Sequence, residues 1–99
     1  MTSKRVIYKY KLAITDRQII EVPRNSVLLS VGIQVDDLVA WVDTPARPYA
    51  ELKDKWEFII RGTGNEFDLD EELRGSYKAS LQLGDFVWHV YLYTGPVNH

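Results

Sequence analysis

Arg61-Gly62-Thr63-Gly64-Asn65 is the stretch of this sequence best suited to chemistry. Two glycines let backbone amides come close to an anion, while Arg61 and Thr63 add a guanidinium and a hydroxyl donor, so the stretch has the parts of a phosphate cradle. Its spacing is neither the GxxxxGK[ST] of a P-loop nor the GxGxxG that opens a long helix, which removes both nucleotide fingerprints. The plain alternative is a turn whose glycines take positive φ. The second candidate is the run Phe86-Val87-Trp88-His89-Val90-Tyr91-Leu92-Tyr93. Read with a period of two, Phe86, Trp88, Val90 and Leu92 share one face and Val87, His89, Tyr91 and Tyr93 the other. Neither face is polar, so the strand is expected to lie centrally or to turn its second face toward a partner subunit or ligand. Trp88, His89 and Tyr91 would then offer stacking rings and an imidazole edge.

Catalytic constellations are missing from the pattern. The only other histidine is His99, and no HxH or HExxH spacing exists, so His89 reads as a hydrogen-bonded cross-strand residue rather than a metal ligand. Asp68, Asp70, Glu71 and Glu72 crowd into one acidic segment instead of forming a separated pair in an apolar pocket, which is what paired-carboxylate catalysis needs. The segment also lacks the spacing of a calcium loop, so it reads as a solvated face or a protein-interaction surface. There is no GxSxG, and the absence of cysteine removes thiol catalysis, thiolate metal sites and a disulfide framework together. The expectation is a non-enzymatic chain with no catalytic residue, no metal and no cofactor. A nucleotide hydrolase using His89 is the weakest reading.

The elements that must position these residues are strands. Residues 6–12 alternate, with Tyr8, Tyr10 and Leu12 opposite Ile7, Lys9 and Lys11, and the two lysines suit an edge. Residues 18–22 form a short strand stopped by Pro23. Over 26–34, Val27, Leu29, Val31 and Ile33 make the core face, and Gly32 is read as a bend or bulge. Asp36-Asp37 turns the chain into a strand over 38–42. Residues 43–55, with Pro45 and Pro48, read as the first long loop. Strands at 56–60, 77–83 and 86–93 follow, the last two joined at Gly84-Asp85. Tyr77, Ala79, Leu81 and Leu83 are expected on the inner face of the sixth strand, and residues 66–73 to hold at most one short helical turn. About seven short strands argue for an all-β fold, a small antiparallel barrel or sandwich.

Composition sets the remaining bounds. Ninety-nine residues, 45% hydrophobic and 26% charged, make one domain over 1–99 with a frayed tail at 94–99. A net charge of −2 without a basic block gives nucleic acid little to hold, and no apolar run approaches the roughly 20 residues of a membrane helix. Up to Arg24 six bases face two acids, a balance of +4, so the remainder carries −6. That asymmetry suits solvated strand faces or complementarity between subunits. Twelve per cent aromatic residues is generous for one small core; the core is the leading place for them, and any of Tyr8, Tyr10, Trp41, Tyr49, Tyr91 and Tyr93 left exposed would suit an oligomer interface or a stacking pocket.

The order of short pieces resembles a group of tailed-bacteriophage proteins: Ile7-Tyr8-Lys9-Tyr10 with Ile14-Thr15-Asp16, then Leu29-Ser30-Val31, Trp41-Val42-Asp43, Gly62-Thr63-Gly64 and Val87-Trp88-His89-Val90. The resemblance runs from Ile7 to Val90 and departs at 43–55 and in the acidic segment. It implies a phage origin and a host-cytoplasm setting, and carries no catalytic role to any residue. The reading that follows is an accessory anti-defence protein acting as a homo-oligomer. It would sequester a small anionic, nucleotide-type immune signal, such as a cyclic nucleotide, at a subunit interface, through Arg61, Gly62, Thr63, Gly64, Trp88, His89 and Tyr91. The alternatives are inhibition of a host defence protein such as a CRISPR effector through Asp68, Asp70, Glu71 and Glu72, or a minor virion or assembly role.

Overall fold

The structure, a computed structural model, describes residues 4–46, 52–66 and 75–95. Among these residues seven strands run in chain order: β1 (Arg5–Leu12), β2 (Arg17–Pro23), β3 (Val27–Gln34), β4 (Asp37–Pro45), β5 (Lys53–Gly62), β6 (Ser76–Leu83) and β7 (Phe86–Tyr93). They form two antiparallel sheets, β1-β4-β3 and β2-β5-β7-β6, stacked as a sandwich rather than closed into a barrel. β3 lies against β6 and β2 against β4 across the interface. Among the described residues there is no helix. The expected helical turn and the acids Asp68, Asp70, Glu71 and Glu72 lie outside the described residues, as does Tyr49.

Alternation builds the core. Leu38, Ala40 and Val42 of β4 face Trp56, Phe58 and Ile60 of β5 and Val90 and Leu92 of β7, all at most 6% exposed. These strands are central in their sheets, so their inner side chains are covered by neighbours on both flanks and by the opposing sheet. β7 is central, as its two apolar faces require. Outer strands are correspondingly leaner: β1 is an edge, and its outer face carries Lys9 and Lys11, which deter pairing with another chain. On its inner face, burial and then the neighbouring Tyr8 push the Tyr10 phenol up from its usual range.

Two β-bulges change which side chains share a face. Between Leu28 and Ser30 the β3 register slips, pairing Leu28 with Val42 and Ser30 with Trp41. Leu28 therefore joins the core, while Val27 and Leu29 are 54% and 49% exposed. Of the expected inner set, only Val31 and Ile33 point inward, because strict alternation cannot survive an inserted residue. Gly32 is not the irregularity; it pairs normally with Val39, and open space surrounds it. The second bulge, between Tyr77 and Ala79, pairs Tyr77 with Tyr91 and Ser80 with His89. Tyr77 thus stands on the outer face with His89, not on the inner face that uninterrupted alternation predicts.

The expected loop over 43–55 also contracts. β4 continues through Asp43, Thr44 and Pro45, paired with Ile7, Val6 and Arg5. Arg5 holds this end, bonding the Asp43 carboxylate at 2.7 Å and the Asp43 carbonyl at 3.2 Å. Thr44, fully buried, meets the Ser26 hydroxyl at 2.9 Å. Pro45 sits at the last paired position, and the Ala46 N–H closes on the Lys4 carbonyl one step beyond. At the other end of β4, Val35 turns the β3–β4 hairpin with φ 57°, a left-handed conformation costly for a β-branched residue.

Candidate functional site

The end of the four-stranded sheet gathers the glycine stretch and the start of β7. β5 and β7 pair so that Gly62 lies opposite Trp88 and Arg61 opposite His89. Gly62 is the last residue of β5, and the Asn65 N–H donates to the Gly62 carbonyl at 3.1 Å, closing a turn with Gly64 at φ +86°. The Thr63 N–H donates to the Val87 carbonyl at 3.1 Å. Two of the amides that the spacing offers to a phosphate are therefore bonded to the protein's own carbonyls.

Register then divides the seven sequence-selected residues between two sides. Trp88 faces inward, packed partly on the core, and its neighbour Phe86 is 66% exposed with ring centroids 6.0 Å apart. Gly62, Thr63, Asn65, Asp85, Phe86, Val87 and Trp88 line an open cleft of about 370 Å³. Arg61, His89 and Tyr91 belong to the opposite, outer face of the sheet, because side chains alternate along a strand. Gly64 ends the turn, with open space around it. Thr63 joins the two sides: it lines the cleft, and its hydroxyl lies 2.6 Å from His89 Nε2.

On the outer face, His89 has hydroxyls at both ring nitrogens. Ser80 Oγ is 2.8 Å and the Tyr77 phenol 3.2 Å from Nδ1, and Tyr77 stands edge-on to Tyr91 with centroids 5.3 Å apart. The Ser80–His89 distance fits a nucleophile and its base, but the other ring nitrogen meets a threonine where a triad places a carboxylate. The arrangement fits the cross-strand reading of His89: a hydroxyl network that fixes the ring and ties the glycine turn to β6. Sequence alternation missed Tyr77 and Ser80. The Gly84-Asp85 turn could have placed Ser80 opposite His89 by counting outward, but a bulge at Lys78 leaves no clear mark in the sequence.

Arg61 is 6% exposed, and its Nη1 lies 3.4 Å from the Asp16 carbonyl and 3.7 Å from the Asp16 carboxylate. The guanidinium is thus directed to the β1–β2 turn, whose Asp16 carbonyl also accepts the Ile60 N–H at 3.1 Å. Beside it Arg17 pairs with fully buried Glu57 at 3.3 Å. Arg17–Glu57 thus ties β2 to β5, and buried Arg61 ties β5 to the β1–β2 turn, a structural use of the outer face. Among the described residues, no group of three or more histidine or acidic side chains converges as a metal site would require.

With this geometry in view, comparison with known proteins matches residues 3–98 to the model of a domain of unknown function, DUF7352. The chain belongs to the DUF7352 family. No curated protein and no solved structure matches it. Membership covers nearly the whole DUF7352 domain described above, both sheets and the cleft included, and brings no named ligand or reaction with it.

Proposed function

We propose that this DUF7352 domain acts by binding, taking the flat ring of a small nucleotide-type ligand into the cleft at the end of its four-stranded sheet. One observation carries the reading: Gly62, Thr63 and Trp88, chosen from residue types alone, line one cleft together with an exposed Phe86. Exposed aromatic rings stack on bases with about 1–3 kcal/mol per base. A volume of about 370 Å³ lies near the lower end of the roughly 300–1,000 Å³ typical of small-molecule sites, enough for a single ring system. Arg61 is turned to the other face, so the support is for ring stacking and not for a phosphate cradle. The Thr63–His89 hydrogen bond would let polar ligand atoms at the cleft rim engage the hydroxyl network. In the phage setting that the resemblance implies, such capture would withdraw a signalling nucleotide from the host, and a second copy of the chain would cover the open side of the cleft.

Titrating the purified chain with a panel of linear and cyclic nucleotides, read by tryptophan fluorescence, tests this. The expected result is saturable quenching that disappears in Trp88→Phe while Trp41 and Trp56 still emit. Native mass spectrometry on the same material should show ligand retained and report whether subunits pair around it. Unchanged fluorescence and no binding heat across the panel would remove the reading.

A further inference from the structure

We infer that the cleft selects a guanine-type ring, and that Asp85 and Asn65 are the residues that read its edge; this rests on the binding reading above. Stacking on Phe86 and Trp88 cannot discriminate, since every base presents a π-face. Selectivity has to come from the few polar groups around the rings. Among the described residues, the polar ones lining the cleft are Thr63, Asn65 and Asp85, and the Thr63 hydroxyl is already placed against His89. Among the described residues of the lining, Asp85 alone is ionisable.

An ionised carboxylate only accepts hydrogen bonds, whereas a carboxamide both donates and accepts. The lining therefore suits a ring edge with adjacent donors beside an acceptor. Guanine has that edge: its N1–H and exocyclic amine can both donate to Asp85, and its carbonyl can accept from the Asn65 amide. Adenine would turn a ring nitrogen lone pair toward the acceptor-only carboxylate, a repulsive contact in place of a hydrogen bond. The same negative charge keeps ligand phosphates out of the cleft and directs them to solvent.

Local structure places Asn65 beside Trp88 and Asp85 next to Phe86. A Cβ at position 62 would lie 2.6 Å from Asn65 Nδ2 and 3.2 Å from Trp88 Cζ3, so the missing side chain of Gly62 is what lets the Asn65 carboxamide fold back beside the Trp88 ring. Asp85 sits in a two-residue turn with Gly84 at φ +64°, joined directly to Phe86. Reader and stacking ring are thus adjacent in the chain, at the turn that opens β7.

The test titrates the full chain with guanosine, inosine and adenosine monophosphates. Inosine keeps the N1–H and carbonyl but lacks the amine, so it separates the two donors. Guanosine monophosphate is expected to bind tightest, inosine about tenfold more weakly, and adenosine up to about a hundredfold more weakly, the range of one bidentate contact. Asp85→Asn should bring guanosine down to the adenosine level without moving the melting temperature, and Asn65→Ala should narrow the same gap. Equal affinity for guanosine and adenosine, or a preference that survives Asp85→Asn, overturns the guanine assignment and leaves ring binding standing. No quenching by any of the three removes ring binding and the assignment together.

Discussion

Gly75→Ala is expected to destabilise this domain by about 2–4 kcal/mol. Gly75 has φ +86°, and a left-handed backbone costs about 1–2 kcal/mol for a residue carrying a Cβ. The new methyl would stand 2.7 Å from the Leu92 carbonyl oxygen, 2.8 Å from its carbon and 3.0 Å from the Tyr93 nitrogen. All three are backbone atoms of a central strand, so none can swing aside as a side chain could; β7 or the start of β6 must shift. Alanine returns only about 0.4–1 kcal/mol by stiffening the unfolded chain. For a domain of this size each kcal/mol moves the melting point by roughly 4–8 °C, so a drop of about 10 °C or more is the readout. Gly32→Ala is the control: it has open space around its Cβ and an ordinary φ, and should leave stability unchanged or slightly raised. Equal melting points for the two variants would contradict the placement of Gly75 against β7.

Phe58 and Phe86 make the second contrast. Phe58 is 1% exposed at the centre of β5, between the two sheets, so Phe58→Ala removes a ring from packing that cannot close over the gap and should cost about 3–5 kcal/mol. Such a loss is a large part of the roughly 5–15 kcal/mol that holds a domain together. Phe86→Ala removes the same ring from a position 66% exposed, and substitutions at such sites usually stay within about 0.5 kcal/mol. Its loss should instead appear in ligand affinity, because the ring forms one wall of the cleft. Urea unfolding of both variants, with ligand titration of Phe86→Ala, reads the two effects separately. A Phe86→Ala variant as unstable as Phe58→Ala would mean that the exposed ring serves packing and not recognition.

What the sequence made legible follows from where periodicity is uninterrupted. β7 reads correctly from Phe86 to Tyr93, and as a central strand, because its alternation has no break and both faces are apolar. β1 reads as an edge because Lys9 and Lys11 repeat on one face. Where an extra residue enters, one alternation cannot fit both sides of it: the bulge at Leu29 leaves Val27 outward, and the bulge after Tyr77 carries that ring to the side of His89. The loop expected at 43–55 was misread because Pro45 suggests disruption, while the Arg5–Asp43 and Ser26–Thr44 bonds that extend β4 join residues 38 and 18 positions apart. The glycine stretch was visible as a turn. Its division of Arg61 from Trp88 was not, although both lie in strands, because it depends on the β5–β7 register, which no local pattern specifies.

Chemical-shift mapping of the ¹⁵N-labelled chain with guanosine monophosphate tests the binding cleft most directly. The account predicts that the Gly62, Thr63 and Asn65 amides and the Trp88 indole N–H move together and saturably, with a smaller response at Ser80 and Tyr77 relayed through His89. Amides of β1, β3 and β4 should stay fixed. Shifts confined to those strands, or none at ligand concentrations that saturate any fluorescence change, would contradict it.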